Sequence, residues 1–148
     1  MNKPELELLF RMYLTGHPHD LGHTPYGRRR FVQVTGGNFE GRQMKGEVLA
    51  VGTDNAIVRR DGVFEPNVNL VLRTHDQALI HVTYHGQFWA SEEILAKLLI
   101  RELGVDPSSY YLRNAVFFET SAEPYLWLNR TMAVSTGEPA PITEKGSE

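Results

Sequence analysis

Apolar and polar positions alternate along most of this chain, the period-two signature of strands buried on one face. Over residues 5–14, Leu6, Leu8, Phe10, Met12 and Leu14 fall on one side and Glu5, Glu7, Arg11 and Tyr13 on the other, which predicts a long first strand. Residues 16–25 then read as a polar loop holding Pro18, Gly22 and Pro25. Around Gly36, Gly37, Gly41, Gly46 and Gly52, the short segments from Arg28 to Val34 and from Met44 to Leu49 are rich in β-branched or apolar residues. They are too short for helices, so this stretch is expected to form a hairpin with a bulged corner.

The alternation continues through residues 55–60, 63–74 and 78–87, with a type I′ turn expected at Asp61-Gly62 and a second turn at His75-Asp76-Gln77. In the last of these segments Ile80, Val82 and Tyr84 oppose His81, Thr83 and His85. Residues 91–103 break the pattern. Ser91 can cap, Glu92 and Glu93 sit in the first turn, and Ile94, Leu95, Leu98, Leu99 and Leu103 recur at helical spacing before Gly104, predicting one amphipathic helix. Residues 110–120 and 125–135 are expected to be the last two strands, and residues 137–148 a flexible tail after a single domain over 1–136.

Several short signals in one order carry a family resemblance: Gly27 and Arg29; Gly36, Gly37, Phe39 and Gly41; Gly46, Val48 and Leu49; Gly52 and Asp54; Asp61 and Gly62. Further on come Tyr84, Gly86, Tyr111, Arg113, Phe118, Glu119, Thr120, Trp127, Leu128 and Asn129. From about Gly27 to Arg130 the chain resembles the family called domain of unknown function 3237, DUF3237 (UPF0311). The resemblance implies an all-β fold, a small antiparallel up-and-down β-barrel of lipocalin or calycin type that often pairs into homodimers. It implies no settled activity. The helix over residues 91–103 stands where the family often has only a loop, and Asn67 and Asn69 stand where it commonly has Asp and Arg.

Composition narrows the function classes. With 148 residues and 41% hydrophobic content the chain fits one domain with a real core. A net charge of -3 argues against nucleic acid, which needs a basic face. Cysteine is absent, which removes thiol catalysis and cysteine-ligated zinc. No run approaches ~18 apolar residues and the start lacks a signal-peptide core, so a cytoplasmic protein with no membrane partner is expected. His17, His19, Asp20 and His23 invite a metal reading, but their spacing matches no known site; a polar surface loop is the reading taken, with no metal and no cofactor.

For chemistry, the parity of the last two strands suggests that Tyr111, Arg113, Phe117 and Glu119 share a face, as do Tyr125, Trp127 and Asn129. Rings interleaved with ionisable and amide groups are what a small-molecule cavity needs, although an outer barrel face or a dimer seam uses the same residues. Asp54, at the edge of an apolar cavity, is the expected proton carrier, with Arg113 and Asn129 holding an oxygen and Tyr84 as wall or proton donor. Tyr111, Glu119, Trp127 and Asn69 complete the expected binding set. The function expected is a cofactor-independent isomerase, lyase or hydrolase acting on a small apolar, aromatic or polyketide-like molecule. The alternatives are a non-catalytic carrier or sensor with the same cavity, and an interaction module.

Overall fold

The computed structural model describes residues 2–99 and 105–137. Eight strands form one antiparallel sheet: β1 (Arg11–Thr24), β2 (Gly27–Glu40), β3 (Lys45–Val58), β4 (Phe64–Glu65), β5 (Asn67–Thr74), β6 (Leu79–Ala90), β7 (Tyr110–Glu119) and β8 (Met132–Ser135). Neighbours in sequence are neighbours in space, and β4 and β5 both bridge β3 to β6. Pro66 separates those two short strands, because it has no N–H to give to a ladder. The expected up-and-down antiparallel order with one helix is what is found.

The sheet curls on itself. Phe10, just before β1, packs against Phe39 of β2 with ring centroids 5.3 Å apart and against Phe118 of β7 at 6.4 Å, so the two ends of the strand order meet over a common interior. That interior is filled by Val34, Phe39, Met44, Val48, Leu70, Leu72, Ile80, Val82 and Phe118, with Leu128 fully buried among them. The glycine-rich corner supplies the bend. The register of β2 against β3 shifts between Gln33 and Gly37, and Gly36 and Gly37 lie at φ +150° and +146°. A Cβ on Gly37 would stand 2.0 Å from the carbonyl oxygen of Tyr13, so a side chain there would push β1 away.

Three expectations about elements are corrected. The first strand starts at Arg11, not Glu5; only Leu9 and Phe10 of the preceding segment pack onto the core. Residues 16–24 are not a loop but the second half of β1, paired with Gly27 to Val34; the register shifts between Thr15 and Gly16 and between Asp20 and Gly22, and Pro18 is tolerated because β1 ends the strand order and has a ladder partner on one side only. Residues 123–130 are a 3₁₀ helix, Glu123–Arg130, and only Met132–Ser135 forms a strand. Pro124 in its first turn favours that start, and the buried pair Tyr125 and Leu128 recurs at a spacing of three rather than two.

The Asp61-Gly62 turn is present. Gly62 alone of that pair has positive φ, and the closing bond runs from Arg59 N–H to Val63 O, so it is a three-residue loop rather than type I′. The helix begins as expected: α1 (Glu92–Leu99) is capped by Ser91, whose Oγ accepts from Ile94 N–H at 3.3 Å. The end of the expected helix, residues 100–103, and the expected tail, 138–148, lie outside the described residues. No helix among the described residues is long and apolar enough to cross a membrane.

Candidate functional site

In an antiparallel ladder, directly paired residues share a face, so the register itself says what looks inward. One rung runs Val32, Asp54, Val68, Tyr84, Val116 and Ala133. Val32, Val68 and Val116 are buried, which fixes this as the interior face and places Asp54 and Tyr84 on it. Arg30 pairs with Ala56, which is fully buried, and Asn114 pairs with Gly86, again on interior positions.

Arg30, Asp54, Tyr84 and Asn114 therefore collect at one end of the rolled sheet. Beyond them the interior passes to Phe64, Phe88 and Leu112, joined by Tyr110, whose ring lies 5.8 Å from that of Phe88. The opposite end is closed by the aliphatic core. Arg30, Asp54 and Tyr84 are only half-buried, so part of each of these side chains is accessible from this side.

Local sequence explains the carboxylate's position. Pro66 interrupts the ladder, leaving Asn67 N–H without a strand partner, and Asp54 Oδ1 accepts from it at 3.0 Å. Burial pushes the Asp54 carboxyl above the ordinary aspartate value, and that rise outweighs the opposing hydrogen bond from Asn67 and the charge of Arg30. The Tyr84 phenol is driven well up, first by burial and then by the negative charge of Asp54, so it stays protonated and can only be a neutral donor or acceptor. Arg28, at the rim, is committed to Asp20 through a bidentate contact, its Nε standing 3.2 Å from Oδ2; Arg30 makes no hydrogen bond among the described residues.

The structure brings together Asp54 and Tyr84 and disperses the rest of the expected set. Tyr111, Arg113 and Glu119 are exposed on the outer face of β7, contrary to the inward orientation expected of them. The uncharged alternates Tyr110, Leu112, Asn114, Val116 and Phe118 take the interior, since a strand offered both faces buries the one that costs no desolvation of charge. Arg113 lies over the Tyr111 ring, 5.2 Å from its centroid, and donates to Leu112 O at 2.7 Å. It does not meet Glu119.

Asn69 and Glu119 do converge, but outside: His81 Nε2 is 3.0 Å from Asn69 Oδ1, and His81 Nδ1 is 3.7 Å from Glu119 Oε1. Trp127 and Asn129 sit on the 3₁₀ helix rather than on a strand. Trp127 packs partly buried against the core, and the Asn129 amide pairs with the Thr120 backbone, accepting from N–H at 2.8 Å and donating to the carbonyl at 2.9 Å. Asn129 thus braces the end of β7 against the 3₁₀ helix.

Arg30 and Asn114 are the site residues that sequence reasoning missed. Each had a signal: Arg30 shares parity with Val32 and Val34, and Asn114 is the one amide in an otherwise apolar alternate set. The His17, His19, Asp20 and His23 group forms no metal constellation among the described residues. His17 and His19 stack edge-on at 4.9 Å on the outer face. A shallow groove of about 470 Å³ lies on that outer face, lined by His19, Phe31, Gln33, Val51 and Thr53, and contains no carboxylate.

Comparison with known proteins agrees with this architecture. The family model described as a protein of unknown function (DUF3237) matches residues 4–141. A UPF0311 protein of Rhodopseudomonas palustris is 31% identical over 136 residues, covering 90% of this chain and 88% of the relative. Another from Clostridium acetobutylicum is 33% identical over 102 residues, 69% of this chain, and the match spans only 64% of that relative's length. Among solved structures, a β-barrel-like protein of Acinetobacter baumannii superposes with TM-score 0.70 at 34% identity, covering 93% of this chain and 92% of the other. A structure described as an enzyme from Penicillium herquei superposes with TM-score 0.69 at 27% identity, covering 90% of this chain and 84% of that one.

Proposed function

Because this chain belongs to the DUF3237 (UPF0311) family, whose members share its rolled sheet without a settled activity, we propose a function from the geometry of its accessible end. The protein binds a small, largely apolar ring compound there and moves a proton on it without a cofactor. Asp54 is the base and acid, Tyr84 is a neutral donor, and Arg30 supplies the positive charge. One observation carries this reading: a carboxylate stands on an interior rung, desolvated enough for its pKa to rise, with one oxygen tied to Asn67 N–H and the other making no hydrogen bond among the described residues. A carboxylate of raised pKa is a stronger base than an ordinary one and can return the proton it takes. Phe64, Phe88 and Tyr110 provide the ring-binding wall. The Penicillium herquei neighbour described as an enzyme supports catalysis over carriage.

Arg113, Tyr111, Glu119, Asn69, Trp127 and Asn129 have no part in this reading, since the first four are turned outward, Trp127 packs against the filled core and Asn129 is hydrogen-bonded to the Thr120 backbone. The test is exchange of the α-protons of 2-tetralone, a bicyclic aromatic ketone, into D₂O, followed by proton NMR. The wild-type protein is expected to accelerate exchange over buffer and Asp54→Asn to abolish the acceleration. Equal exchange by the two proteins overturns the assignment. Binding of the ketone without exchange makes the protein a carrier.

A further inference from the structure

Asn114 is a buried amide that the fold leaves unused. It is 7% exposed, and its Oδ1 is wholly buried with no hydrogen-bond partner. Its Nδ2 makes no hydrogen bond among the described residues either, and is not wholly buried. Such an arrangement costs stability, because a buried polar group without a partner forfeits its hydration. Gly86 is what permits it. Asn114 Oδ1 stands where a side chain of residue 86 would be, 2.4 Å from the position of a Cβ, so the carbonyl end is packed against Gly86 and the amino end is the less buried of the two.

The register puts that amino group beside the proton-transfer pair. Tyr84 pairs with Val116, so Asn114 is its diagonal neighbour on the same face, ~7–8 Å away at the backbone and within reach of a shared small ligand. Arg30 is likewise diagonal to Asp54 through Ala56. Three donors, the Asn114 amide, the Tyr84 phenol and the Arg30 guanidinium, thus share the interior face with one carboxylate on adjoining rungs.

We propose that Asn114 Nδ2 and Tyr84 OH form the binding site for an oxygen that becomes negatively charged, and that the substrate class is accordingly an enolisable ketone or a phenol fused to an apolar ring system. This deepens the proton-transfer reading and rests on it for the role of Asp54. In the step inferred, Asp54 takes a proton from the carbon next to the carbonyl. The C–H pair becomes the new C=C bond, the carbonyl π pair moves to oxygen, and that oxyanion is held by the two donors with Arg30 behind them. Return of the proton from Asp54 to another carbon or to the oxygen completes an isomerisation, with no oxidant or co-reactant needed. Donors already aimed at the place where charge develops are the efficient way to stabilise such an intermediate.

The test measures binding rather than turnover. A series of para-substituted phenols of similar size and falling pKa, from 4-methylphenol to 4-nitrophenol, is titrated calorimetrically into the folded protein. Affinity is expected to rise as the phenol becomes more acidic, and in Asn114→Leu the 4-nitrophenolate affinity is expected to fall about 10- to 100-fold, flattening the series, with a steeper loss in Asn114→Asp. In ¹⁵N-labelled wild-type protein the Asn114 side-chain NH₂ resonances are expected to move downfield on adding 4-nitrophenolate, a readout that does not depend on any variant folding. Unchanged affinity in Asn114→Leu, stationary NH₂ resonances, or no binding of any phenol by the wild type each overturns the inference. Asp54→Asn separates the two readings: it is expected to bind 4-nitrophenolate more tightly by removing a negative neighbour. If its affinity is unchanged while Asn114→Leu loses binding, the oxygen site stands and the role of Asp54 falls.

Discussion

The hydroxyl of Tyr125 donates to Oδ1 of Asp76 at 2.8 Å, joining the 3₁₀ helix to the turn between β5 and β6. Thr74 Oγ1 donates to the same oxygen, and its hydroxyl also accepts from Ala78 N–H at 2.9 Å, so a single carboxylate organises the turn and anchors the segment that closes the filled end. The two hydroxyl bonds hold the Asp76 carboxyl below the ordinary aspartate range.

Removing the phenol hydroxyl tests that lock. Tyr125→Phe keeps the ring in the core and is expected to lower Tm by a few degrees at neutral pH in thermal melts followed by circular dichroism. The folded-state pKa of Asp76 is depressed, so its stabilisation is present above the unfolded aspartate value and is lost as pH falls through the lower folded value. The gap between wild type and variant should therefore narrow on acidification below about pH 4.

Asp54 carries the opposite sign. Its folded pKa lies above the ordinary value of 3.8, so the folded state binds the proton more readily, and stability is lost as pH rises through the folded pKa. Asp54→Asn is expected to melt above wild type at pH 7, with the advantage shrinking towards pH 4 and vanishing below it. A variant that melts below wild type at pH 7 shows that the carboxylate stabilises the fold instead of straining it.

Leu128 is fully buried, on the 3₁₀ helix and not on a strand. Leu128→Ala is expected to cost about 2–5 kcal/mol in urea unfolding, the range for an aliphatic truncation that leaves a cavity. Leu126, on the same segment but exposed, should tolerate the same change within about 0.5 kcal/mol.

Gly86 should link stability to ligand binding. An alanine methyl there would stand 2.0 Å from the carbonyl oxygen of Arg113 and 2.4 Å from Asn114 Oδ1. Gly86→Ala is expected to cost about 1–3 kcal/mol as overpacking. It should also weaken 4-nitrophenolate binding at temperatures where it remains folded, because the Asn114 amide must move.

Much of the fold was legible because alternation reports burial directly. The hairpin of β2 and β3 and the strands β5 and β6 occur close to where the pattern put them, whereas residues 55–58, expected in a strand of their own, continue β3 through Gly52, and the strand expected over 63–74 is split at Pro66. Sequence reasoning failed where a second physical rule overrode the period. Pro18 and Gly22 read as loop residues, yet β1 carries Pro18 at the end of the strand order and Gly22 beside a bulge. The segment from Tyr125 to Asn129 alternates ring and polar residues as a strand might, yet Leu128 is the residue most needed by the core, and a three-residue turn buries it with Tyr125.

The site was half legible for a related reason. Asp54 and Tyr84 sit among apolar neighbours of the same parity, so their inward direction could be read. In β7 the rings and charges of Tyr111, Arg113, Phe117 and Glu119 resemble a cavity wall, whereas the burial of Tyr110, Leu112, Val116 and Phe118 follows from the charges of Arg113 and Glu119 staying in water.

The division of the interior into a packed half and an accessible half has a consequence for how this protein can vary. Residues such as Leu72, Ile80 and Leu128 answer for whether the chain folds at all, whereas on the reading proposed above Arg30, Asp54 and Asn114 would answer for what it recognises. Mutations in the two groups should then combine additively, leaving descendants of this scaffold free to change guests without renegotiating their foundations.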